Sequence, residues 1–272
     1  MTDLTSFDAY CFDLDGTIFV GDTLLPGVQE TIAELRRRRK KIMFLTNTSV
    51  QTRLDCQKRL ERLGLPCELE EILTAIYVSG MYFRENAPDA AVYLLGEPAM
   101  EKELRQFGVR ITEEPLAATH VLVGLDRSFS YDKLNLGMKA IRRGAKLVAA
   151  NPDPVCPAVD GVIPDTWSLV KALETAGQSE AYMVIGKPSS YYAQKALQSL
   201  GIPSEKCLMV GDRLETDILL GLNSGMKTAL VLTGIASADD IGTDNIVPDF
   251  VIATLGDIYR EEWERDRAVS GK

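Results

Sequence analysis

Two aspartates one residue apart, Asp13-Leu14-Asp15, stand at the end of an apolar run and lead into Gly16-Thr17. Carboxylates at this spacing can divide labour, one attacking an electrophile or binding a metal while the other carries a proton. Three more polar signals follow later apolar runs: Thr46-Asn47, Gly186-Lys187-Pro188, and Gly211-Asp212 with Asp217 a turn beyond. Singly, each has a bland reading. Asp and Gly suit turns, Thr46 suits a helix N-cap, and Gly-Lys-Pro or Gly-Asp suits a loop. A calcium loop is excluded for Asp13–Asp15, because no carboxylates follow at the spacing that loop requires. In order, and each just past an apolar run, the four signals point to one crevice at the carboxyl ends of parallel strands.

The residue types match phosphoryl transfer. A phosphate ester repels a carboxylate nucleophile, so charge must be neutralised locally. Mg²⁺ takes hard oxygen ligands, which Asp13 and Asp212 can supply, and the Lys187 ammonium adds a second positive group. Asp13 is then the expected nucleophile, splitting the reaction into two steps. Asp15 is the expected acid and base, protonating the leaving alkoxide and later activating water. The Thr46 hydroxyl is expected on phosphate oxygens, and Asp217 is expected to orient Lys187 or a water on the metal.

The elements that must hold these groups are legible from periodicity. Short apolar runs at 9–12, 42–45, 183–185, 208–210 and 228–232 predict strands. Amphipathic stretches at 28–38, 51–63, 191–200 and 216–224 predict helices, with glycines 64, 201 and 225 at their ends. Alternation of this kind indicates an α/β fold with a parallel sheet. The middle repeats the grammar: strands at 92–95, 121–124 and 146–149, helices at 100–107 and 131–143. We expect a doubly wound, Rossmann-like core from 1–78 and 182–272, with an α/β insertion over 79–181. The charged tail from Arg260 reads as a helix or frayed end.

Composition narrows the chemistry further. The 272 residues carry a net charge of −9, which argues against nucleic acid as a partner. The basic run 36–41 reads as a solvated helix end, favoured by the helix dipole. Five cysteines at 11, 56, 67, 156 and 207 form no CxxC pair and suggest neither disulfides nor zinc. The single histidine, His120, reads as structural, so carboxylates must do the acid–base work. No apolar stretch approaches a membrane span, and the N-terminus lacks a signal-peptide pattern; a cytoplasmic protein is expected.

The segments Asp13-Leu14-Asp15-Gly16-Thr17, Thr46, Lys187 and Gly211-Asp212 with Asp217 resemble the four motifs of the haloacid dehalogenase-like hydrolases. Order and spacing are similar to the subfamily of NagD-type and p-nitrophenyl phosphatases and AraL-type sugar phosphatases. The resemblance implies Mg²⁺ held by Asp13, Asp212 and the Asp15 main-chain carbonyl, with Gly16 supporting the loop. It implies a mobile α/β cap between Thr46 and Lys187, and a homodimer. Leu45-Thr46-Asn47 and Ala150-Asn151-Pro152-Asp153 also match, placing Asn47, Asn151 and Asp153 on the substrate side. Within the family Asp15 favours phosphoryl transfer over dehalogenation, which has no alkoxide to protonate. One departure stands out: Ile163-Pro164-Asp165-Thr166-Trp167 replaces a Gly-rich stretch, with Trp167 facing substrate or packed in the cap. The expected partner is a small phosphorylated metabolite, hydrolysed to inorganic phosphate. A phosphomutase and a non-catalytic phosphate-binding regulator are the alternatives.

Overall fold

The computed structural model describes residues 3–158 and 161–259. The chain divides into two compact units. The first contains Met1–Thr46, Gln57–Ile72 and Ala193–Lys272, and the second contains Asn47–Cys56 and Leu73–Tyr192.

The first unit is built on a six-stranded sheet in the order Phe250–Ile252, Lys227–Val231, Cys207–Gly211, Ala9–Phe12, Lys41–Thr46, Ile72–Thr74. Ala9–Phe12 lies centrally, pairing in parallel with Cys207–Gly211 on one side and Lys41–Thr46 on the other. Its four residues are fully buried, as expected of a strand covered by helices on both faces. The helix Val28–Arg37 buries Val28, Ile32 and Leu35 at helical spacing. It ends in the basic run, where Arg37 and Arg38 both bond the carboxylate of Glu34.

The second unit carries a five-stranded sheet in the order Met183–Val184, Lys146–Ala149, His120–Val123, Ala91–Leu95, Arg110–Ile111, with parallel pairing throughout. Tyr131–Arg142 and Thr166–Gly177 pack with these strands around a cluster that includes Leu95, Val121, Leu147, Val170 and Leu173. Trp167 packs against that cluster, and the Lys171 ammonium lies 4.7 Å from its ring centroid. An antiparallel hairpin, Val155–Ala158 with Gly161–Pro164, precedes Asp165, whose carboxylate caps the helix that follows.

Most predicted elements are present within a residue or two. The segment read as one helix over 216–224 is instead a five-residue π-turn, Leu214–Ile218, running into a short helix, Leu219–Ser224. The helices Ala75–Asn86 and Thr166–Gly177 and both antiparallel hairpins escaped the sequence reading. The expectation for the tail from Arg260 lies outside the described residues. Among those residues, no helix is long and apolar enough to cross a membrane.

Candidate active site

In the first unit, the loop after Ala9–Phe12 is wound tightly on itself. The Asp13 N–H donates to Val210 O, extending the strand pairing by one residue. Then Gly16 N bonds Phe19 O at 2.8 Å and Ile18 N bonds Leu14 O at 2.8 Å. Gly16 has φ of +92°, a conformation that costs glycine little and other residues much. A side chain there would also collide, since an added Cβ would lie 2.5 Å from Asp212 Oδ2. The Thr233 hydroxyl donates to Gly16 O at 2.7 Å, tying this loop to the one after Lys227–Val231.

Asp212 follows Cys207–Gly211, the strand beside Asp13. Its Oδ2 accepts the Ile235 N–H at 2.7 Å, and its main-chain oxygen accepts from Ala236. Gly234 passes so close that an added Cβ would sit 1.9 Å from Asp212 Oδ2. Asp217 lies in the π-turn, where its carboxylate accepts the Arg213 N–H. Such turns recur at functional sites because the extra residue re-aims a side chain. The outcome is a group of three buried acids, Asp13, Asp212 and Asp217, with one carboxylate oxygen from each within 4.8 Å of the others. Three hard oxygen donors this close repel one another, and a small divalent cation relieves that repulsion. The flanking glycines leave the donors room for nothing bulkier than backbone. The residues therefore fit Mg²⁺.

The Asp15 carboxylate is not in this group. Its side chain is 54% exposed and faces Arg59, with Asp15 Oδ1 3.7 Å from Arg59 Nη1. Thr46 closes its strand and is buried.

In the second unit, the other expected residues form a scaffold around a buried lysine. Lys187 N donates to Asn47 Oδ1 at 2.8 Å, and Asn47 Nδ2 donates to Lys187 O at 3.1 Å. Asn151 Nδ2 then donates to Asn47 O at 2.7 Å, and Asp153 N donates to Asn151 Oδ1. Gly186 leaves no space for a Cβ against Asn47 and Ala150. The amides of Asn47 and Asn151 thus fix the backbone around Lys187, which is 1% exposed. Asp153 is half-buried. The strand leading to Lys187, Met183–Val184, belongs to the second sheet.

His120 is buried, with Nδ1 2.9 Å from the Thr119 hydroxyl and its ring edge-on to Phe83. Burial and then the nearby Lys146 charge depress its pKa. Sequence reasoning missed two contributors: Arg59, which carries no motif, and the Thr233-Gly234-Ile235 loop. The loop did leave a signal, being a fifth polar turn after an apolar run.

A haloacid dehalogenase-like hydrolase model matches residues 10–110, and a second hydrolase model of that superfamily matches 184–258. The chain is 36% identical to the sugar-phosphatase AraL of Bacillus subtilis, over 91% of this chain and 90% of that protein. It is 35% identical to the glycerol-3-phosphate phosphatase of Homo sapiens, over 94% and 91% respectively. Among solved structures it is similar to a 4-nitrophenylphosphatase from Thermotoga maritima. That likeness has a TM-score of 0.89 at 30% identity, and covers 94% of this chain and 98% of the other.

Proposed function

This chain belongs to the haloacid dehalogenase-like hydrolases, and from that premise we propose that it is a Mg²⁺-dependent phosphatase of small phosphorylated metabolites. The observation that carries the reading is the buried trio Asp13, Asp212 and Asp217 next to the tightly wound Asp13–Thr17 loop. Similarity to phosphatases named for sugar phosphate, glycerol 3-phosphate and nitrophenyl phosphate supports this substrate class.

Asp13 and Asp212, with the Asp15 main-chain oxygen, would hold the ion. When bound, Mg²⁺ would neutralise carboxylate charge and polarise the phosphoryl group. An Asp13 carboxylate oxygen forms a bond to phosphorus while the ester P–O bond breaks. Its electron pair goes to the leaving oxygen, which takes the proton of Asp15. In the second step Asp15 removes a proton from water, whose oxygen displaces Asp13 from phosphorus. Lys187 balances phosphoryl charge, and Thr46 donates its hydroxyl to a phosphate oxygen. Asn47 and Asn151 serve Lys187 by fixing its backbone, with Asp153 at the substrate side. We assign the insertion expected over 79–181, extended by its sheet to take in Met183–Val184, as the cap that selects substrate, and we expect a cytoplasmic homodimer.

The test is phosphate release from p-nitrophenyl phosphate and a panel of sugar and glycerol phosphates, with Mg²⁺, with EDTA, and with Asp13→Asn. Turnover should need the metal and fall at least about 10³-fold in Asp13→Asn. Metal-independent turnover, or turnover surviving in Asp13→Asn, would refute the proposal.

A further inference from the structure

We propose that Arg59 is a positioning residue for the acid–base carboxylate, holding Asp15 and the loop that carries it in the geometry for proton transfer. The inference rests on the phosphatase reading above. It draws on contacts no motif accounts for.

The guanidinium of Arg59 touches the 15–21 loop at three places. Nη1 lies 3.7 Å from Asp15 Oδ1, Nη2 donates to Gly21 O at 2.7 Å, and the Cζ atom sits 3.9 Å from the centre of the Phe19 ring. The same loop is closed by the Gly16–Phe19 hydrogen bond and by a bridge between Asp15 and Phe19. It continues into the small hairpin Phe19–Val20 with Thr23–Leu24. Arg59 comes from a different element, the helix Arg53–Arg62. One side chain therefore fastens a solvent-facing turn to a helix.

The division of exposure supports a mechanical role. The Asp15 side chain is 54% exposed, whereas that of Arg59 is 16% exposed. A carboxylate that open samples several rotamers, and each wrong rotamer lengthens the path of the proton. A planar fork can bond the Gly21 carbonyl, stack on Phe19 and face Asp15 at once, which an ammonium cannot. The 3.7 Å separation leaves the carboxyl group room to approach a leaving oxygen while the cation still limits its range.

Leaving-group chemistry makes this testable. Nitrophenolate departs without a proton at neutral pH, whereas the alkoxide of glycerol phosphate needs one. General acid catalysis contributes on the order of 10²–10⁴-fold, so loosening the acid should penalise the alkyl ester selectively. In Arg59→Met we expect kcat/KM to fall roughly tenfold on glycerol 3-phosphate and less than about threefold on p-nitrophenyl phosphate. Arg59→Lys should fall between Arg59→Met and the wild type. In an Asp15→Asn background, Arg59→Met should cost little more, because the two residues act as one unit. Thermal melting of each variant reports whether it is folded.

Equal losses on the two esters, or full additivity with Asp15→Asn, would overturn the role of Arg59 while leaving the phosphatase reading intact. Failure of the folded wild type, with Mg²⁺, to turn over either ester would instead overturn the phosphatase reading, and Arg59's role with it.

Discussion

Two buried aspartates sit just past the ends of parallel strands, one in each unit, and their surroundings differ. Asp126, beyond His120–Val123, accepts from Lys133 Nζ at 2.6 Å and from the Ser128 N–H and hydroxyl at 2.9 and 2.7 Å. Burial pushes its carboxyl pKa up, but the bonds from Lys133 and Ser128 outweigh burial and hold it below the usual range. Asp13 lies among Asp212 and Asp217, which come from about 200 residues along the chain. An acid neutralised by neighbours within seven residues is finished by its own segment. Acids gathered from distant strands concentrate like charge, which a cation from outside can complete. The contrast separates an acid whose partners lie in its own segment from acids that strand pairing gathers from distant parts of the chain.

The most forceful way to break this comparison is Asp212→Asn. Losing one oxygen donor should lower Mg²⁺-dependent turnover on the order of 10²-fold or more, since metal stabilisation of transferring charge is worth several kcal/mol. In EDTA the same variant should melt higher than wild type, because a repulsive charge is gone. Its stabilisation by added Mg²⁺ should shrink. A melting temperature in EDTA below wild type would place Asp212 with Asp126 as a structural acid.

Asp126→Asn should behave in the opposite way. It strands Lys133 and costs about 1–2 kcal/mol in urea unfolding, between an exposed pair and a fully buried one because Lys133 reaches water. No Mg²⁺-dependent component should appear in that loss. His120 gives the mildest test. Its folded pKa lies below the ordinary 6.5, so between the two values the unfolded chain binds the extra proton. Stability should therefore decline as pH falls below about 6.5, by at most about 1.4 kcal/mol per pH unit for one proton. In His120→Gln that part of the slope should vanish.

The strands bearing Asp13, Thr46 and Asp212 were legible because each is a short apolar run with an abrupt polar end. The two-residue strand Met183–Val184 was visible too, but nothing local encodes which sheet it joins. Thr166–Gly177 was missed because its start, Asp165-Thr166, follows a hairpin and reads as one more turn. The π-turn at Leu214–Ile218 was invisible because Thr216–Ser224 has acceptable helical spacing; the extra residue goes with a close approach of Asp217 to Gly211, which no local pattern encodes. There an added Cβ would lie 2.3 Å from the Asp217 side chain. Arg59 could not be found from sequence at all. Its role arises from three contacts with residues 38 to 44 positions away, and an arginine on an amphipathic helix looks the same with or without them.

The strand order carries a consequence for synthesis. Ala9–Phe12 leaves the ribosome early, yet its partner Cys207–Gly211 is made some 200 residues later. The second sheet closes over far shorter spans, with Ala91–Leu95 meeting His120–Val123 and then Lys146–Ala149 in turn. Short closures are favoured early, because loop entropy and folding time both grow with separation. The second unit can thus complete all five of its strands, Met183–Val184 being the last made, while the strand before Asp13 still has an open edge. The acidic trio cannot assemble before Asp217 is made, after the second sheet already has every strand it needs to close.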